Sequence, residues 1–290
     1  MVDQVLVTLD GTVHDPDVPL LYADDLAAVR GDGVFETVLV RDGSPCTIEL
    51  HLARLRTSAA ALDLPVPDLD DWRIAVGLAL EEWGSDREGV MRLVLSRGRE
   101  SGGGPTGYLT VGPVAERVAG ARRDGISVCT LARGYSVDVA ATAPWQLLGA
   151  KTLSYATNMA ALRHAHSLGV DDVIFTSSEG LVLEGPRSTV LISRGRTLIT
   201  PPVEHGILPG TTQQALYETA SAHRFSCRVE PLRPADLILA DGLWLLSSVT
   251  LAARVHTLNG LSLPAPEIAE ELSTLVDLAA ETVGAEQDAA

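Results

Sequence analysis

The chain has 290 residues, of which 46% are hydrophobic and 21% charged, and at that length it can bury most of its apolar surface as one large domain or two ordinary ones. Its formal net charge of −16 argues against nucleic acid or anionic membranes as partners, since both need basic patches, and no apolar run approaches the roughly 20 residues of a membrane span. Cys46, Cys129 and Cys227 are odd in number and widely spaced, and the N-terminus MVDQVLVTLDG has no basic-then-apolar leader; both features read as a cytoplasmic protein with reduced thiols.

Residues 5–9 alternate as a strand and meet the turn pair Asp10-Gly11; residues 34–40 form a second β-rich run, and Asp42-Gly43 turns it into 45–48. Leu52, Leu55, Ala59 and Leu62 recur at helical spacing from about Glu49, and Trp72, Val76, Ala79 and Trp83 mark a helix over 70–83. Strands are expected at 91–95 and 108–111, around a Gly-rich loop at 101–107. The polar stretch 113–125 reads as a linker, dividing a domain of 1–117 from one of 118–290. Beyond it, a strand at 126–131 and a loop carrying Pro144 lead to Lys151, followed by a helix over 155–168 ended by Gly169. Short strands at 173–176, 181–184 and 188–193 come next, then a helix at 211–223, strands at 225–229 and 243–247, and a final helix over 266–283. Strands and helices mix without a regular βαβ repeat, which favours an α+β fold.

The chain contains 22 Lys plus Arg, and Lys151 is its only lysine. Arginine serves surface charge and ion pairing as well or better. An amine that can lose its proton and attack a carbonyl is something a guanidinium cannot supply.

Residues 206–212 (GILPGTT) run a Gly-containing loop into a helix. The first-turn N–H groups and two threonine hydroxyls there suit a phosphate, although by frequency a threonine at such a helix start is more often a plain N-cap. No lysine follows the second glycine, so this is not a nucleotide-triphosphate loop. A second hydroxyl cluster, 247–250 (SSVT), follows a strand and could present N–H groups to an anion. His164 and His166 face different ways on one helix, and no other histidines have metal-ligand spacing. Gly31-Asp32-Gly33 lacks the third glycine of a dinucleotide fingerprint, and no GxSxG motif is present.

In chain order, residues 30–37 (RGDGVFET), 51–55 (HLARL), 151–155 (KTLSY) with Asn158, Glu184 with Ser188, and 206–212 resemble the class IV aminotransferases, the fold-type IV pyridoxal-phosphate enzymes. The resemblance covers nearly the whole chain. It implies a two-domain α+β homodimer with a smaller N-terminal α/β sandwich and a larger C-terminal pseudo-barrel. It further implies that Lys151 carries pyridoxal 5′-phosphate as a Schiff base and shuttles protons, and that Glu184 pairs with the pyridine nitrogen. Tyr155 would bond the phenolic oxygen, while Arg54, Thr211 and Thr212 hold the phosphate and Val249 and Thr250 close its other side. Within the family the GDGVFET segment is most like the 4-amino-4-deoxychorismate lyases, which release pyruvate and form 4-aminobenzoate for folate; D-amino-acid and branched-chain aminotransferases are the alternative. On that resemblance Thr47 lies near the leaving group, and Arg30, Arg92, Arg97 and Tyr108 are candidates for the substrate carboxylates. Thr106 and Thr189 depart from the arginine and asparagine expected there.

Overall fold

The computed structural model describes residues 3–282, and the chain forms two units: 1–115 with 150–155, and 116–149 with 156–290. The segment Ala150–Tyr155 therefore groups with the first unit, a return that a single boundary near 117 does not express.

The first unit is built on β1 (Val5–Thr8), β2 (Val13–His14), β3 (Gly33–Arg41), β4 (Ser44–Pro45), β5 (Gly89–Ser96) and β6 (Thr106–Pro113), with α1 (Leu26–Arg30), α2 (Ile48–Ala61) and α3 (Leu69–Trp83). The strands form one antiparallel sheet in the order β2-β1-β6-β5-β3-β4. Because side chains alternate across a sheet, Val34, Val38 and Val40 of β3 fall on one face with Met91, Leu93, Leu95, Leu109 and Val111, all buried. Helix α2 packs on β3, and α3 on β1 and β6. Their inward residues are Leu52, Leu55 and Ala59, and Trp72, Ala75, Val76, Ala79 and Trp83, the 3.6-residue stripe that such helices need. Asp68 caps α3 by accepting from the Asp70 N–H at 2.9 Å. Residues 45–48 are not a strand throughout: Ile48 already opens α2 after Thr47 in the left-handed region.

The second unit contains β7 (Ile126–Ala132), β8 (Asp172–Thr176), β9 (Thr189–Arg194), β10 (Thr197–Thr200), β11 (Ser226–Val229), β12 (Gly242–Ser247), β13 (Leu251–Leu258) and β14 (Leu261–Ser262). They form an eight-stranded mixed sheet in the order β11-β10-β9-β12-β13-β7-β8, with β14 beside β13. Its helices are α4 (Glu116–Asp124), α5 (Val139–Thr142), α6 (Ala156–Ser167), α7 (Thr211–Ala220), α8 (Pro234–Leu239) and α9 (Ala269–Thr282). The core gathers Val128, Ile174, Val190, Ile192, Leu243, Leu245 and Val255; a second cluster holds Ala165, Val173, Phe175, Leu183 and Ile207.

Two expectations need correction here. Most of 113–125 is the helix α4, not a linker. Its polar composition hides a single anchor, Val118, which is buried, with Ala121 packed on the core. Residues 181–184 are no regular strand either: Val182 makes one isolated bridge to Thr176. The carbonyl of Phe175 accepts from Leu183, and the Phe175 N–H donates to Glu184, so consecutive residues meet one partner and the ladder bulges. The loop before Lys151 also holds the short helix α5 and a 3₁₀ turn at Pro144–Gln146.

Candidate active site

Lys151 lies against β3. Its N–H donates to the Ser58 hydroxyl at 3.1 Å, and its carbonyl accepts from the Phe35 N–H at 3.1 Å. The side-chain nitrogen stands 4.6 Å from the centre of the Phe35 ring. Tyr155 meets the same ring edge-on, with centroids 5.5 Å apart and planes at 88°. Phe35 thus carries both the amine and the phenol.

Cross-strand register places further candidates on that face. Phe35 pairs with Val94 and Val94 with Tyr108; Thr37 pairs with Arg92 and Arg92 with Thr110. Residues directly opposite one another share a face, and positions two apart along a strand do too, at roughly 7 Å. Arg92 and Tyr108 therefore stand on the side of the sheet that bears Phe35. Burial raises the Tyr108 phenol above its ordinary value, and Asp25 adds to the shift.

Glu36, one residue on, points to the opposite, helix-covered face and is fully buried. It accepts from Arg54 through both carboxylate oxygens, from Nε at 2.8 Å and Nη2 at 2.7 Å, and meets His51 Nδ1 at 2.7 Å. Burial opposes the charge on Glu36, but the Arg54 guanidinium and the His51 contact outweigh it and hold the carboxyl well below the usual range. His51 is pushed down by burial against the opposing pull of Glu36. Arg54 is thereby fixed in orientation by a bidentate partner. Sequence reasoning quoted Glu36 without giving it a role. The available signal was a carboxylate at an inward position of an otherwise apolar strand.

Thr47 is buried, precedes α2 with φ of 51°, and makes no side-chain cap bond. Arg97 is tied to Asp32 at 2.6 and 3.2 Å and to the carbonyls of Leu62 and Asp63. Arg30, at the end of α1, is exposed and lies 3.6 Å from Glu100. The structure thus commits Arg97 to the protein and leaves Arg30 on the surface.

In the second unit, one Glu184 oxygen accepts from the Leu208 N–H at 3.2 Å. The loop that follows is held by Asn158, whose amide donates to the Pro186 carbonyl at 2.8 Å, and by Arg187, 3.5 Å from Asp172. Helix α7 opens on the buried Thr211 and Thr212 after Gly210, which offers the first turn no side-chain acceptor. A Cβ on Gly210 would collide with the Thr189 hydroxyl. An uncapped helix start with close backbone approach suits a phosphate monoester. On another turn, the Val249 carbonyl accepts from Arg122 and the Thr250 N–H donates to Ser247. Among the described residues no group of acidic, histidine and cysteine side chains forms a metal site, and no helix is long and apolar enough to cross a membrane.

An antiparallel sheet in one unit and a mixed eight-stranded sheet in the other, with helices on each, give the two-unit α+β architecture of the fold-type IV enzymes. The family model described as amino-transferase class IV matches residues 33–258, and the chain belongs to that family, whose members are pyridoxal-phosphate enzymes. It is 56% identical over 284 residues, 95% of this chain and 98% of the relative, to the bifunctional aminodeoxychorismate lyase / D-amino acid transaminase of Mycobacterium tuberculosis. Two solved structures of a hypothetical aminotransferase from M. tuberculosis are 57% identical. The form with α-ketoglutarate and PMP superposes with a TM-score of 0.94, covering 95% of this chain and 98% of that one. The PLP-bound form gives 0.93, covering 96% and 98%.

Proposed function

We propose that this chain is a 4-amino-4-deoxychorismate lyase that forms 4-aminobenzoate and pyruvate, with pyridoxal 5′-phosphate as cofactor. The observation that carries the reading is the 56% identity across 98% of a relative named for that activity. The same name favours a second reading, transamination of D-amino acids. We take the working form to be a cytoplasmic homodimer, on the family resemblance.

By their chemistry, the groups that the two units hold are those the cofactor needs: one amine, one carboxylate, an oriented guanidinium and an uncapped helix start. When bound, the cofactor supplies an aldehyde that condenses with amines and a ring that spreads negative charge from the amine-bearing carbon. Lys151 would carry the cofactor through its Nζ, and the same amine, when free, would serve as the base for the proton on that carbon. Glu184 would hold a proton at the ring nitrogen, and Tyr155 would bond the phenolic oxygen. On the family resemblance, Arg54 and the amides of Thr211 and Thr212 would receive the phosphate, and Val249 and Thr250 would close its other side. Arg92 and Tyr108 share the Phe35 face and are the groups assigned to substrate carboxylate. Thr47, a buried residue whose hydroxyl makes no cap bond, is assigned on the family resemblance to assist departure of the pyruvate portion.

The test supplies the holoenzyme with 4-amino-4-deoxychorismate and no keto acid. Equal amounts of 4-aminobenzoate and pyruvate support the lyase. If they are absent while D-alanine and 2-oxoglutarate are transaminated, the second reading stands alone; if both reactions fail, neither reading survives.

A further inference from the structure

Glu184 is surrounded by a support that the readings above leave unassigned. Immediately after β7, the Arg133 N–H donates to the Thr176 carbonyl at 2.8 Å, and the Tyr135 carbonyl accepts from Ser178 at 2.9 Å. Both side chains turn onto the cluster of Phe175, Leu183 and Ile207. The Arg133 guanidinium lies 4.7 Å from the centre of the Phe175 ring, and the Phe175 N–H donates to the Glu184 carbonyl at 2.9 Å. The Tyr135 hydroxyl stands 3.5 Å from the Gly206 carbonyl, two residues before Leu208, whose N–H anchors the Glu184 carboxylate. The two side chains therefore brace both strands of backbone that fix Glu184: its own and the 206–208 turn.

Charge points the same way. Burial raises the Tyr135 phenol, the Glu184 carboxylate raises it further, and the Arg133 guanidinium pulls it back. The hydroxyl thus stands within reach of one negative and one positive charge. Among the described residues, no carboxylate lies within ion-pair distance of Arg133, and its Nη1 is buried without an acceptor. Its field is not cancelled by a local partner.

We propose that Arg133 and Tyr135 are positioning residues for Glu184, keeping its carboxylate seated on the Leu208 N–H, so that it favours a ligand ring bearing a protonated nitrogen. The inference rests on Glu184 being the partner of the cofactor's ring nitrogen, as proposed above.

The experiment compares two ligands on the full-length chain stripped of cofactor: pyridoxal 5′-phosphate, and its carbocyclic analogue with C–H in place of the ring nitrogen. Aldehyde and phosphate are common to both, so the ratio of affinities isolates the nitrogen. The wild-type chain is expected to prefer the nitrogen ring by roughly tenfold or more, the range of a charge-assisted hydrogen bond, and Glu184→Gln to abolish the preference. Tyr135→Phe and Arg133→Met should each remove most of it, and Arg133→Lys, which keeps the cation, should retain more than Arg133→Met. A merely structural role would weaken both ligands equally and leave the ratio intact; that result, with Glu184→Gln still abolishing the preference, overturns the inference alone. A preference that survives Glu184→Gln removes the Glu184 reading and the inference with it. Should Arg133→Met not fold, judged by circular dichroism, Tyr135→Phe decides the matter.

Discussion

Replacing Arg54 with methionine provides a quantitative test of the buried cluster in the first unit. The change deletes the bonds of 2.8 and 2.7 Å to Glu36 and leaves a carboxylate with no solvent exposure. Losing one partner of a buried, hydrogen-bonded ion pair costs about 3–5 kcal/mol. His51 stays at 2.7 Å and can take up a proton, which puts the expected loss near the lower end, ~3 kcal/mol. In the wild type the Glu36 pKa lies below its unfolded value of 4.5. The unfolded chain therefore binds that proton more tightly, and the contribution present above 4.5 is lost as pH falls through the folded pKa. In the variant the stranded carboxyl is raised instead, so the folded state gains by protonation as the medium becomes acidic. The gap between the two proteins must shrink on going from about pH 8 to about pH 5. Urea unfolding followed by tryptophan fluorescence reads it, since Trp72 and Trp83 are buried in α3 of the same unit. Glu36→Gln combined with Arg54→Met should recover much of the loss, because neutralising both ends leaves no stranded charge. A loss under about 1 kcal/mol, or one equal at both pH values, would refute this account of the cluster.

Gly210→Ala pushes a methyl into the Thr189 hydroxyl and shifts the first turn of α7. Spectrophotometric titration should show pyridoxal 5′-phosphate bound roughly tenfold more weakly, with pyridoxal, which lacks the phosphate, unaffected. Arg92→Gln and Arg97→Gln should behave oppositely. The first is expected to raise KM for a carboxylate substrate roughly tenfold or more with little change in Tm. The second should lower stability by about 1 kcal/mol and leave KM alone, since its guanidinium is occupied by Asp32, Leu62 and Asp63.

How much of this was legible in the sequence depends on whether the signal was local. The stripes of α2 and α3 and the β-rich runs of β3 and β5 need only a window of residues, and the structure keeps them. The solitary lysine was visible by counting. Helix α4 was missed because one valine and one alanine carry its packing, beneath what any periodicity reveals. Residues 181–184 failed because a bulge depends on the facing strand, not on the segment itself. The bonds of Arg97 to Asp32 and the Leu62 carbonyl could not be read from a local window, because both partners are distant in sequence; Arg133 and Tyr135 drew no attention because the Phe175 ring and the Gly206 carbonyl that they meet are likewise remote. Glu36 was readable in principle, as a charge on the buried side of a strand, and only its partners on α2 show why it is tolerated.

The most direct test of the account is to reduce the holoenzyme with borohydride, digest it with trypsin and locate the phosphopyridoxyl group. A label on Lys151 blocks cleavage there, so the account predicts one labelled peptide spanning 134–163, bounded by Arg133 and Arg163. It also predicts that Lys151→Ala yields a protein without the label and without turnover. A label on any other amine, or normal turnover in the alanine variant, would contradict it.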